Sequence, residues 1–289
     1  MRYSLLIFFL LSLLFFSCKD VHKKAKPNNV KIEIQNNTRA KNVSILEKEF
    51  AVVNLNSEAI SRKIWLYLPP NYSSSKENYP VIYMHDAQNL FDKTTSYAGE
   101  WGVDEILNDV YKNTQKGFIV VGINNDGKER INEYSPWKHK KYGGGTGDNY
   151  LNMIIEELKP YIDANYRTKP NAEFTGIIGS SMGGLISYYA GLKYPNIFGK
   201  IGVISPSFWF SKEVLDYTEE KAKDANIKMY FLLGDKEGMT KDFNEVSALL
   251  LKSGFKKENL KKKIIEGGEH NEAFWNRQFL EVITYLYNL

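Results

Sequence analysis

The run Gly179-Ser180-Ser181-Met182-Gly183-Gly184 is the strongest chemical signal in the chain. It follows an apolar stretch at 174–178 and precedes a helical run at 185–192. A strand, a sharp turn and a helix form the context in which G-x-S-x-G presents a serine as a nucleophile. The turn is tight, so the residues two before and two after the serine must be small, and Gly179 and Gly183 meet that need around Ser181. The helix N-terminus behind Ser181 also favours developing negative charge. A serine nucleophile needs a base, and only four histidines are present. His22 lies in a polar N-terminal stretch, His139 in the basic run 138–141, and His85 directly after an upstream strand. His270 follows Gly267-Gly268-Glu269, past the last expected strand. Elbow nucleophiles carry their partners in the order serine, acid, histidine, which selects His270 as the base. The acid should follow the strand that ends at Leu233, where Asp235 and Glu237 both qualify. One of them would orient the imidazole and the other would be a turn residue.

The tetrahedral oxyanion of acyl transfer needs two backbone N–H donors. Met182, the residue after the nucleophile, is expected to supply one. Ala87, in the loop 85–92 behind the strand 79–84, is expected to supply the other. Trp209, past the carboxyl end of a strand, is a candidate wall for the acyl pocket. Trp101, Trp137 and Trp275 also fall near loops or helix starts, where packing is the plainer role. Lys138, Lys140 and Lys141 beside Trp137 suit a solvated loop better than an anion site. His85-Asp86 has no further ligand cluster to make it a metal pair, and the glycine run 143–147 lacks the lysine of a phosphate loop and reads as a flexible loop. No metal and no organic cofactor is therefore expected.

These residues need a scaffold that brings strand ends together. Residues 60–68 alternate and end at Pro69-Pro70, as a strand does. Short apolar runs at 79–84, 118–123, 174–178, 201–204 and 229–233 read as buried strands, and another ends at Ile264-Ile265. Amphipathic helices lie between them. The clearest spans 150–166, where Leu151, Ile154, Ile155, Leu158 and Ile162 form one stripe. Strand and helix in alternation predict a mostly parallel sheet with helices on both faces. In such sheets ligands bind beyond the carboxyl ends of the strands.

The chain has 289 residues, 43% hydrophobic and 25% charged, which excludes a disordered protein. A net charge of +4, from 38 basic and 34 acidic residues spread along the chain, gives no footprint for nucleic acid. Arg2 and the apolar run 5–16 suit a secretory signal peptide and are too short to span a bilayer. Cys18, the sole cysteine, stands at the expected cleavage point after Ser17, which resembles the lipobox of bacterial lipoproteins. The expected organisation is a signal peptide over 1–17, a polar tether over 18–42 and one domain over 43–289. Lipid on Cys18 would anchor the exported chain to a bacterial membrane, on its periplasmic or cell-surface face, and leave no free thiol.

Several segments together resemble the Putative esterase family of α/β hydrolases. They are Arg62 to Tyr72 (RKIWLYLPPNY), Met84 to Phe91 (MHDAQNLF), Glu100 to Glu105 (EWGVDE), Ser205 to Trp209 (SPSFW) and Gly267 to Glu272 (GGEHNE). The likeness covers nearly the whole chain after Ile60, and Ala87 stands where many members have glycine. The family includes siderophore (enterochelin) esterases, feruloyl and acetyl-xylan esterases, S-formylglutathione hydrolases and mycolyltransferases. The resemblance implies an α/β-hydrolase fold, Ser181 as nucleophile, His270 as base, and Glu237 rather than Asp235 as acid. Little chain separates Ser205 from the helix near Lys212, so only a small lid, or none, is expected. The expected activity is hydrolysis of an acylated polysaccharide or a siderophore ester through an acyl-enzyme. The alternatives are acyl transfer on the same fold and a non-catalytic lipoprotein that binds glycan or siderophore.

Overall fold

The computed structural model describes residues 37–289. The signal segment and Cys18 lie outside the described residues. Packing contacts begin before Val43. Thr38 Oγ1 donates to the Glu100 carboxylate, the Ala40 N–H to Asp104 Oδ2 at 2.7 Å, and Asn42 Nδ2 to the Leu68 carbonyl at 2.6 Å. The last residues of the expected tether are thus fastened to the domain.

Among the described residues, eight strands form the central sheet: β1 (Val43–Ile45), β2 (Ile64–Tyr67), β3 (Val81–His85), β4 (Ile119–Ile123), β5 (Thr175–Ser180), β6 (Lys200–Ile204), β7 (Lys228–Gly234) and β8 (Leu260–Ile265). Their order is β1-β2-β4-β3-β5-β6-β7-β8. The β1–β2 and β2–β4 pairs are antiparallel and every later pair is parallel. Central strands such as β3 are buried at every position, which is why they read as unbroken apolar runs. Successive side chains serve opposite layers. Val81 and Tyr83 join the core on one face, while Ile82 and Met84 join the core on the other. Helices α1 (Val103–Thr114) and α6 (Glu272–Tyr287) cover the second of these cores. The first is covered by α2 (residues 147–165), α3 (Met182–Lys193), α4 (Glu213–Lys221) and α5 (Thr240–Lys252). This is an α/β-hydrolase fold, as expected.

Three local expectations need correction. The alternating run 60–68 is two strands: Ala59–Arg62 pairs with Phe50–Val53 in a separate hairpin, and Ile64–Tyr67 is β2 of the main sheet. Alternation persists across the break at Lys63, so periodicity alone hides it. The stripe on α2 is buried at Leu151, Ile154, Leu158 and Ile162, but its middle turn, Met153–Leu158, is π-helical and leaves Ile155 half-buried. The glycine run is a tight ladder rather than a loose loop. Gly143–Gly144 pairs with Lys138–His139, and a methyl group on Gly144 would sit 2.2 Å from the Trp137 carbonyl oxygen.

Candidate active site

The carboxyl ends of β3 and β5 and the loop that follows β8 meet at one cavity of about 180 Å³. Ser181 and His270 both line it, with Asp86, Arg130, Trp101, Trp275 and Glu272 around them. Ser181 links β5 to α3 with φ 60° and ψ −124°, a conformation that L residues avoid. Neighbours hold it there. Its N–H donates to the Ile204 carbonyl at 3.0 Å, and its own carbonyl accepts from Ser207 N (3.0 Å) and Leu185 N (3.1 Å). A Cβ on Gly179 would lie 2.6 Å from both the Gly183 oxygen and the His85 ring, so the bare backbone is required there. At Gly183 a methyl would make ordinary contact at 3.4 Å; the second tight position is Gly184, 2.7 Å from the Ile204 oxygen. Ser181 Oγ meets Ser207 Oγ at 3.4 Å and makes no hydrogen bond to His270; in substrate-free sites such a contact often tightens only when substrate binds.

His270 Nδ1 lies 2.8 Å from Glu237 Oε2. The Glu237 side chain is fully buried, while the imidazole is about a third exposed. Glu237 Oε1 accepts from Gly234 N at 2.6 Å and from Ser205 Oγ at 2.7 Å. Ser205 Oγ in turn accepts from Trp275 Nε1 at 2.9 Å. The indole stands edge-on to the His270 ring, with ring centres 5.2 Å apart. Every oxygen of Glu237 is therefore engaged, and the carboxylate is fixed before any substrate arrives. Asp235 does something else: its Oδ1 accepts Gly267 N at 2.8 Å and braces the turn before His270.

Met182 opens α3 and Ala87 opens a 3-10 turn, so both N–H groups lie in first turns without intrahelical acceptors. Ala87 itself is buried, and its neighbours Asp86 and Asn89 line the cavity. Trp209 does not. In the turn Phe208–Phe210 the two phenylalanines are buried, which points the middle residue outward. Its ring is 42% exposed and packs on Tyr142 and Phe210. His85 is buried against the sheet, with Nδ1 2.7 Å from Tyr150 Oη and Nε2 3.1 Å from Ser187 Oγ. Burial lowers its pKa to about 4, so it packs as a neutral ring.

Three features of the cavity escaped the reading of the sequence. Ser205 is the bridge described above. Arg130 clamps Asp86 through two bonds, Nε to Oδ1 at 2.7 Å and Nη2 to Oδ2 at 2.8 Å, with Asn125 Nδ2 on the same carboxylate. Burial alone would raise the Asp86 pKa, but Arg130 and Asn125 outweigh it and hold the carboxyl below its ordinary value. Glu272 accepts from Asn89 Nδ2 at 2.9 Å, and burial pushes its carboxyl up. Ser205 and Glu272 lie in segments that carry the family resemblance, whereas nothing in the sequence marks Arg130.

The model of the Putative esterase family matches residues 57–286. The chain belongs to this family. It is 30% identical over 246 residues to Uncharacterized protein YbbA of Bacillus subtilis (strain 168), covering 80% of this chain and 94% of that one. It is 29% identical over 223 residues to the endo-1,4-beta-xylanase/feruloyl esterase of Xylanibacter ruminicola, covering 73% of this chain and 27% of that one. Among solved structures, the enterobactin esterase FES of Shigella flexneri, crystallised in the presence of enterobactin, superposes with a TM-score of 0.69 at 19% identity. That match covers 87% of this chain and 60% of FES. The family and the fold make this chain an esterase-class enzyme.

Proposed function

We propose that the chain is a serine carboxylic-ester hydrolase working through an acyl-enzyme, with Ser181 as nucleophile, His270 as general base and Glu237 as the orienting acid. The observation that carries this reading is the fixed carboxylate of Glu237 on His270 Nδ1 in the cavity that also holds the strained Ser181. With Nδ1 committed to Glu237, Nε2 is the nitrogen free to take the serine proton. Attack by Ser181 Oγ on the ester carbonyl moves charge onto its oxygen. The N–H groups of Met182 and Ala87 would stabilise that charge. His270 then protonates the leaving alcohol, and water, deprotonated by the same nitrogen, hydrolyses the acyl-enzyme.

The substrate we assign is a bulky ester of the siderophore or acylated-polysaccharide kind. The cavity of about 180 Å³ has room for only part of such a molecule. Beside it, sharing Tyr97 and Arg130, lies an open concavity of about 490 Å³ lined by Gln88, Asn125 and Asp126, which suits the polar remainder. The feruloyl and enterobactin esterases named above point the same way. Covalent labelling of Ser181 by a fluorophosphonate tests the mechanism. A hydrolysis panel of acetyl, butyryl and feruloyl esters, acetylated xylan and a catecholate trilactone tests the substrate. An acyl transferase would instead need an added sugar or lipid hydroxyl for product to form, and a binding lipoprotein would resist labelling.

The sequence around Cys18 supports export and lipid anchoring. Cys18→Ala should release the protein from membranes without changing the activity of the domain. Membrane retention of a processed but unlipidated Cys18→Ala chain would refute the anchor.

A further inference from the structure

Glu100, Asp104 and Glu105 place one carboxylate oxygen each within 4.8 Å of one another. They belong to the segment Glu100 to Glu105, whose chemistry the proposed reaction does not use. Asp104 is fully buried, and its Oδ1 has no hydrogen-bond partner although Oδ2 accepts the Ala40 N–H at 2.7 Å. A buried carboxylate oxygen left open in this way is costly unless something occupies it. No lysine or arginine among the described residues forms an ion pair with any of the three. The first turn of α1 favours acids at 104 and 105 through its dipole. That accounts neither for Glu100, which comes from the preceding loop, nor for the open oxygen of Asp104.

We propose that Glu100, Asp104 and Glu105 bind a hard divalent cation, with calcium preferred over magnesium. All the donors are carboxylate oxygens, the set that hard cations select. They come from a loop and a helix start, and calcium accepts irregular geometry and bidentate carboxylates where magnesium demands a near-ideal octahedron. Water completes the shell. The ion ties together pieces of chain that are otherwise held by few bonds. Thr38 Oγ1 donates to both oxygens of Glu100, at 2.8 and 3.0 Å, and Ala40 holds Asp104. The same loop supplies Tyr97, Ala98 and Trp101 to the cavity of Ser181, so the ion steadies one wall of that cavity.

The rival occupant is a proton. Burial and the neighbouring Glu105 push the Asp104 carboxyl up to about 8, so a proton could hold the pair together instead. The test uses the full chain stripped with a chelator and titrated with terbium under tryptophan excitation. Trp101, next to Glu100 in the chain, is the expected sensitiser. The expected result is sensitised emission at one ion per chain, displaced by calcium and more weakly by magnesium, with a calcium-dependent rise in the thermal midpoint. Glu105→Gln, an exposed change that leaves packing intact, should weaken calcium binding at least tenfold. Asp104→Asn should remove binding; if it fails to fold, Glu100→Gln replaces it. Equal calcium responses in wild type and Glu105→Gln, or none in either, overturn the proposal. So does a midpoint that rises on acidification through about pH 8 with no response to calcium.

Discussion

Replacing Glu237 by glutamine changes one oxygen to NH₂ and almost nothing in volume, so its effect isolates the chemistry of the carboxylate. The structure dictates which way the amide must face. Gly234 N–H is a fixed backbone donor onto Oε1, and Ser205 Oγ, already accepting from Trp275 Nε1, directs its own proton to the same atom. The amide oxygen must take this position, because NH₂ there would face two donors. The NH₂ group is then forced onto His270 Nδ1, where the carboxylate oxygen stood at 2.8 Å. Facing a donor, Nδ1 becomes an acceptor, and the imidazole proton moves to Nε2. That tautomer cannot accept the serine proton. The corresponding amide substitution in the chymotrypsin-like template lowers kcat by about 10⁴, or about 5 kcal/mol.

Glu237→Gln should therefore lower kcat by roughly 10²–10⁴, the smaller loss applying if the half-open cleft lets water reorient the ring. Asp235→Asn keeps an acceptor for Gly267 N and should stay close to wild type in kcat. Both variants are to be assayed on one activated ester, with folding followed by circular dichroism. A folded Glu237→Gln enzyme that keeps more than about a tenth of wild-type kcat would sink the tautomer argument. A crippled Asp235→Asn beside a healthy Glu237→Gln would reverse the assignment.

Ser181→Ala should abolish hydrolysis and fluorophosphonate labelling while leaving the unfolding midpoint nearly unchanged, whereas Ser180→Ala should keep most of the activity; a dead Ser180→Ala with a live Ser181→Ala would shift the elbow by one residue. Acid should destabilise the fold through His85, which stays neutral in the native state down to about pH 4 but protonates near 6.5 once unfolded. Between those values the unfolded state binds more protons, so stability falls as pH falls, by about 3 kcal/mol for this residue. Glu133, whose carboxyl burial raises to about 7, acts with the opposite sign. The decisive measurement is thus the difference between wild type and His85→Gln in urea midpoints at pH 7 and 4.5, and parallel pH profiles for the two would show that His85 is not buried as a neutral ring.

Sequence reading succeeded where one short segment contains its own reason. Buried parallel strands are apolar or small along most of their length, so β3 to β7 announce themselves. The elbow's tight glycines, Gly179 and Gly184, lie within six residues of chain. It failed where a role depends on distant partners. Nothing near Arg130 marks it as the clamp of Asp86, 44 residues away, and Ser205 acts only because β6 ends beside Trp275 and Glu237. Trp209 was misjudged for a related reason. Its position after a strand is right for a pocket wall, but the burial of Phe208 and Phe210 decides which way it turns. Position alone does not separate Asp235 from Glu237, because both carboxylates end up bonded across the same pair of turns.

Three adjacent strands, β3, β5 and β6, each run into a residue of positive φ that is not glycine: Asp86 at 58°, Ser181 at 60° and Ser205 at 45°. Glycine would relax all three, so the strain is kept for the side chains. Asp86 holds Arg130, Ser181 faces the imidazole's cavity, and Ser205 joins Trp275 to Glu237. This reasoning makes a separable prediction at Ser205. Ser205→Ala and Ser205→Gly both remove the bridging hydroxyl, leaving the Trp275 N–H without an acceptor and Glu237 with one donor fewer on Oε1. Losing a bond to a charged acceptor costs about 1.5–3 kcal/mol of stability, and a carboxylate held by one donor fewer positions His270 less firmly, so both variants should lose stability and kcat together. Only glycine also releases the backbone. Ser205→Gly should therefore be more stable than Ser205→Ala by about 1 kcal/mol, although glycine adds freedom to the unfolded chain and would be the weaker residue at an ordinary position. Urea unfolding of the pair measures this directly. If Ser205→Ala is the more stable of the two, the positive φ at Ser205 carries no strain and glycine offers no relief there.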